Sequence, residues 1–251
     1  GDHDVVLQVS DGNRGTVDQT FTITVNDIAP PILSSSSPTD GATPIATNTT
    51  ITLTFDEDIA FGTGNIEIID VTDASNSFTI DAANTGSEAS ISGAVLTIDL
   101  STDLDESSSY SVRIAPTAIE DTSGNSYAGI TDDTTLNFTT AGYTVSETTL
   151  NIDEVAGTST FTVVLEAQPT TDVVFDITSD DTNEATVSAA QLTFTASNWD
   201  TSQTITVTGV NDDIDRDDSA TITIAVNETS SDDAFDALAD RTVNITLTDE
   251  D

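Results

Sequence analysis

The sequence predicts an all-β chain of antiparallel β-sandwiches in tandem, on three observations. Apolar residues alternate with Thr, Ser or Asn at period two through segments such as TITLTF (50–55) and TITVTGV (204–210), the pattern of strands buried on one face. Clusters of Gly, Asp, Asn and Pro separate these segments about every ten residues, as in sandwiches of about 100 residues each. Helical periodicity is nearly absent; the best candidate, residues 232–238, reads as a loop with at most one turn.

The strands follow in order. VVLQV (5–9) and TFTITV (20–25) flank a DGN turn and are too few to bury a core alone. IAPPILSSSSPTDG (28–41) is a Pro/Ser-rich junction, and it sets the first boundary at 1–28. Strands at 50–55, 65–71, 95–100, 110–114 and 136–140 fill a second unit, 29–141, with Tyr110 as an inward anchor and Phe55 and Phe138 as core residues on facing strands. Asp40-Gly41 and Ser123-Gly124-Asn125 are its tight turns. Strands at 159–165, 172–177, 204–210, 220–226 and 242–248 fill a third unit, 142–251.

Forty-five acids against four arginines give a formal charge of −41. Nucleic acid binding is excluded, because phosphate affinity needs basic residues to displace counterions, and an anionic membrane surface is disfavoured for the same reason. Carboxylates packed within about 8 Å, the Debye length at physiological salt, oppose compaction. A folded chain of this charge therefore calls for cations. With no cysteine, disulfides and thiolate metal sites are unavailable. No apolar run is long enough to span a bilayer and no signal peptide is present, so membrane insertion is not expected. A chain starting at Gly1 reads as an excised piece of something longer.

His3 is the lone histidine, so a Ser/His/Asp arrangement has no support, and with 45 acids some carboxylate pairs arise without meaning. The chain is not expected to be an enzyme. Trp199 is read as a packing residue rather than a sugar-stacking one. The threonine runs at Thr22 and Thr24, at Thr50, Thr52 and Thr54, and at Thr204, Thr206 and Thr208 are read as solvent faces of strands rather than an ice-binding surface.

Three resemblances add to this reading. VVLQVSDGN followed by FTITVNDIAP resembles the last strands and exit linker of a cadherin-like domain; the resemblance implies calcium ligation by Asp11, Asn26 and Asp27. SPTDGAT (37–43), ITLTFDEDI (51–59), LTIDLSTDLDESSSYSVRI (96–114), AIEDTSGN (118–125) and LNFTT (136–140) resemble the bacterial Ig-like family of large surface proteins. NIDEVAGTSTFTVVL (151–165), LTFTASNWDTSQTITVTGVNDD (192–213) and TVNITLTDED (242–251) resemble the Calx-beta domain. That last resemblance implies a calcium cluster at one end of the sandwich, formed by Glu154, Asp180 or Asp181, Asp212 with Asp213 and Asp215, and Asp249 with Asp251. Together they imply tandem Ig-like sandwiches from a large adhesin of the RTX type, secreted or on the bacterial cell surface, with calcium as cofactor.

The acidic stretch GVNDDIDRDD (209–218) holds two readings open: a metal loop, or a solvated charge run between strands. An EF-hand is ruled out, since starting the loop at Asp213 puts Asp218 where glycine is needed and Ile224 where glutamate is needed. The expected role is that of a monomeric, calcium-stabilised extender region whose partners are calcium and neighbouring domains of the same chain. The alternatives are a module binding a surface glycan or protein through residues 56–65 or 228–240, and an accessory region of a secreted enzyme.

Overall fold

The computed structural model describes residues 2–24, 26–154, 157–211 and 218–248. Its first element is a hairpin of β1 (Asp2–Ser10) and β2 (Thr16–Thr24), paired in continuous register from Asp2↔Thr24 to Ser10↔Thr16. Period-two patterning gives the hairpin one face that is mostly Asp, Thr and Gln, with Val6 among them, and one of Val5, Leu7, Val9, Val17, Phe21 and Ile23 with His3 and Gln19. Among the described residues nothing packs on that apolar face: Val9 is 67% and Val17 72% exposed. Asp11 makes the turn, its Oδ1 accepting from the N–H of Asn13 at 2.8 Å and of Gly15 at 3.0 Å.

The first sandwich contains β3 (Leu33–Ser37), β4 (Ala42–Ile45), β5 (Ile51–Phe55), β6 (Ile59–Phe61), β7 (Asn65–Asp70), β8 (Phe78–Asp81), β9 (Ala89–Ser92), β10 (Val95–Ile98), β11 (Ser109–Ile114), β12 (Ile119–Asp121) and β13 (Asn137–Thr140). One sheet has the order β3-β5-β10-β9, the other β4-β13-β11-β7-β8, and β6 pairs with β12 in a short separate ladder. Alternation is realised as the sequence predicts: Ile51, Leu53 and Phe55 of β5 are buried, as are Tyr110, Val112 and Ile114 of β11. Tyr110 and Phe138, opposite one another on β11 and β13, stack at 5.9 Å, while Phe55 of the other sheet meets Tyr127 edge-on at 5.2 Å. Such aromatic pairs add packing specificity beyond the area they bury. The Tyr110 hydroxyl accepts from the Asp105 N–H at 2.9 Å, satisfying a polar tip that burial would otherwise strand.

The second sandwich contains β14 (Tyr143–Val145), β15 (Thr149–Asp153), β16 (Thr158–Leu165), β17 (Val173–Ser179), β18 (Ala185–Val187), β19 (Gln191–Phe194), β20 (Gln203–Gly209), β21 (Asp218–Val226) and β22 (Arg241–Thr248). Its sheets have the orders β14-β16-β20-β18 and β15-β22-β21-β17-β19. Phe175 anchors the core between Tyr143, at 4.6 Å, and Phe194, edge-on at 5.9 Å. Trp199 packs half-buried against this core, as expected. The loop at 232–238 makes one 3-10 turn, Asp233–Phe235, capped by Asp232, whose carboxylate accepts from the Ala234 N–H.

The two sandwiches share a plan. Each begins with a short strand in its four-stranded sheet, crosses to the five-stranded sheet, and there pairs parallel with the last strand of the unit: β4 with β13, and β15 with β22. Apart from the β6–β12 ladder of the first, the plans differ in one exchange among the described strands. In the first sandwich the edge strand of the five-stranded sheet, β8, precedes that of the four-stranded sheet, β9; in the second, β18 of the four-stranded sheet precedes β19.

Candidate metal centres

Two groups of three carboxylates converge among the described residues, each offering one oxygen within 4.8 Å of the others. Two oxygens bound to one calcium at 2.3–2.6 Å lie at most about 5 Å apart, so both groups are compact enough to share an ion. The donors are all hard carboxylate oxygens, the set that suits calcium or magnesium and not a softer metal.

The first group is Asp27, Glu57 and Asp121. Asp27 is in the segment that leads from the hairpin into the first sandwich, Glu57 follows β5, and Asp121 ends β12. Asp121 is 2% exposed and is held by the turn after it: its Oδ1 accepts from the N–H of Ser123 and Asn125, both at 2.8 Å, and its Oδ2 from Asn125 Nδ2 at 2.7 Å. Gly124, at φ +88°, supplies the left-handed residue that closes this turn. Burial opposes the Asp121 charge, but the hydrogen bonds from Asn125, Ser123 and Gly124 outweigh it and hold the carboxyl below its ordinary pKa. Glu57 goes the other way: partial burial and then the charges of Asp121, Asp27 and Asp56 raise its pKa. Asn125 Nδ2 also donates to the Asp27 carbonyl at 3.1 Å, and the Ile32 N–H donates to Asp56 Oδ1 at 2.7 Å, tying the incoming segment to the same pole.

The second group is Glu154, Glu184 and Asp218. Glu154 follows β15 and is 1% exposed, with its N–H donating to the carbonyl of Thr248 at 3.1 Å, where β22 ends. Glu184 stands just before β18, and Asp218 opens β21 opposite Leu247. The backbone beneath them is packed without room for side chains: a Cβ on Gly157 would lie 2.3 Å from the Asp153 carbonyl oxygen, and one on Gly209 2.8 Å from the same atom.

Of the residues the sequence nominated, Asp27 and Glu154 are in these two groups, one in each. Asp11 is at the turn of the hairpin, the far end from the exposed Asn26 and from Asp27. Asp180 and Asp181 serve the backbone, Asp180 accepting from the Thr221 N–H at 2.6 Å and Asp181 from the Asn183 N–H at 2.9 Å, and Glu184 takes the place by Glu154. Asp212, Asp213, Asp215, Asp249 and Asp251 lie outside the described residues. Sequence reasoning passed over Glu57, Asp121, Glu184 and Asp218, although FDEDI, EDTSGN and the acidic run ending at Asp218 were in view.

Residues 27–140 match the family described as bacterial Ig-like domain. No curated protein matches the chain. Among solved structures, a GH5 xyloglucanase of Bacteroides ovatus in complex with a XXXG heptasaccharide is similar at 14% identity and a TM-score of 0.32, over 43% of this chain and 19% of that one. The E. coli chaperone DraB is similar at 9% identity and 0.32, over 43% and 55%, and the N-terminal part of the bacterial S-layer protein SbsC at 15% and 0.31, over 89% and 45%. The chain thus spans 19% of the xyloglucanase, about half of the chaperone and less than half of the S-layer fragment. The sequence match and the two-sheet fold agree over the first sandwich: residues 27–140 are similar to the bacterial Ig-like domain family.

Proposed function

We propose that the chain is a calcium-stabilised structural extender of a large bacterial surface adhesin, carrying adhesive domains outward from the cell. The observation that carries this reading is the position of the two carboxylate groups. Asp27, Glu57 and Asp121 meet where the chain enters the first sandwich, and Glu154, Glu184 and Asp218 meet where it leaves the second. Ions at those two poles would neutralise carboxylates that converge there and stiffen the junctions to neighbouring domains. The bacterial Ig-like match supports a place outside the cell.

Extracellular calcium modules bind at about 10⁻⁴ to 10⁻³ M. Calcium at ten to a hundred times that constant adds roughly 1.4–2.7 kcal/mol per site. Two sites in a chain of this length correspond to a rise in Tm of about 10 °C. The test is thermal unfolding with excess calcium, with chelator, and with magnesium at equal ionic strength. A calcium-specific rise of that size supports structural ions; identical curves in all three conditions would leave the acids as a solvated surface and remove the stiffening mechanism.

A further inference from the structure

The junction between the two sandwiches is built on different chemistry from the outer poles. β13 ends at Thr140 and β14 begins at Tyr143, leaving Ala141 and Gly142 as the connection. Thr140, Ala141 and Tyr143 are each at most 1% exposed, and Gly142 is buried with them. The connecting peptides are bonded on both sides. The Ala141 N–H donates to Ile45 at 2.8 Å and its carbonyl accepts from Ser107 at 3.0 Å, both in the first sandwich, while the Gly142 carbonyl accepts from Glu166 of the second at 3.0 Å. Gly142 leaves no slack, since a Cβ there would fall 1.8 Å from Ser107 Oγ.

Glu106 of the first sandwich crosses the junction with both carboxylate oxygens. One accepts from the Ala239 N–H at 2.9 Å and the other from Arg241 Nη2 at 2.6 Å. The Arg241 guanidinium lies 5.0 Å from the centre of the Tyr143 ring, and the Tyr143 hydroxyl donates to the Ala239 carbonyl at 2.9 Å. A charged bidentate acceptor and a cation over an aromatic face fix direction as well as distance. In a chain with four cationic side chains against 45 acids, the use of one here is a specific placement.

We propose that the two sandwiches form one rigid body, locked by Glu106 and Arg241 over a buried two-residue connection, and that this joint needs no cation. The lock stands apart from the calcium reading of the outer poles; among the described residues neither carboxylate group includes a residue of this junction.

The chain contains no cysteine, so Ser92→Cys and Thr193→Cys, both on exposed strand positions, allow two spin labels whose separation is measured by pulsed electron resonance. One narrow distance distribution, the same in calcium and in chelator, is the expected result. Arg241→Ala should broaden it at least twofold. Glu106→Gln, which keeps an acceptor for the Ala239 N–H but loses the charge, should broaden it less. Both variants are checked for an unchanged unfolding transition. A broad distribution in the parent chain, a shift on chelation, or no response to Arg241→Ala in a folded variant would each overturn the lock. Failure of the calcium reading appears separately, as an absent rise in Tm with the narrow distribution intact.

Discussion

Asp232 shows what a single acid can do in this chain without any ion. It is 6% exposed, and one carboxylate oxygen accepts from the N–H of Thr170 at 2.6 Å, of Thr171 at 3.0 Å and from Thr170 Oγ1 at 2.7 Å, while the other accepts from Ala234 at 3.1 Å. Burial resists its charge, yet these bonds prevail and lower its pKa. Its contribution is therefore present above the ordinary carboxylate range and lost as pH falls through the depressed value. Asp232→Ala strands several buried donors and should cost about 3 kcal/mol in urea unfolding at neutral pH, with a difference from the parent that shrinks in acid. Glu57 carries the opposite sign. Its raised pKa means the folded chain takes up that proton first, so its repulsion is relieved as pH falls from neutral toward the ordinary carboxylate range. Glu57→Gln should therefore stabilise the chain in chelator at neutral pH, lose that advantage in acid, and gain less than the parent from calcium; matched urea midpoints across pH would show it. The sequence named Asp27 and Glu154 but not Glu57, Asp121 or Glu184, and the reason is physical. Those partners come from segments tens of residues apart, joined by sheet register that no local pattern encodes, whereas an acid at a strand end is visible by itself.

At the scale of elements, the strands legible in the sequence are those with a full alternation of buried residues, such as β5, β16, β17 and β20. The strands the sequence does not single out are shorter: β6, β12, β14 and β18 have three residues each, too few for period two to stand out, and β3, β4, β8, β9, β15 and β19 have four or five, although β15 alternates fully. β4 carries Pro44, a residue that removes a ladder donor and that is placed at a sheet edge, where β4 is found. Tertiary pairing, not propensity, makes these segments strands. The β1–β2 hairpin is the converse case, with clear alternation in sequence and an apolar face that meets nothing within the described chain. A lone hairpin adds little stability to its neighbours. Residues 27–251 should accordingly unfold in chelator within about 2 °C of the full chain, as read by calorimetry.

At the scale of the molecule, a formal charge of −41 opposes compaction everywhere, and the chain answers it unevenly. Arg113 pairs with Asp133 at 2.6 Å and Arg241 with Glu106 at 2.6 Å, while the outer poles gather carboxylates. The parallel pairing of β15 with β22, from Thr149↔Asn244 to Asp153↔Thr248, has a mechanical consequence. The chain enters this sandwich at Tyr143 and leaves beyond Thr248, at opposite ends. Tension between those ends draws β15 back toward its start and β22 onward past its finish, along their common axis. The load falls in shear on five registered pairs together, rather than peeling them one after another. In the first sandwich, β4 and β13 share only Phe138↔Ala42 and Thr140↔Ile45, so under a common pull that unit should yield first.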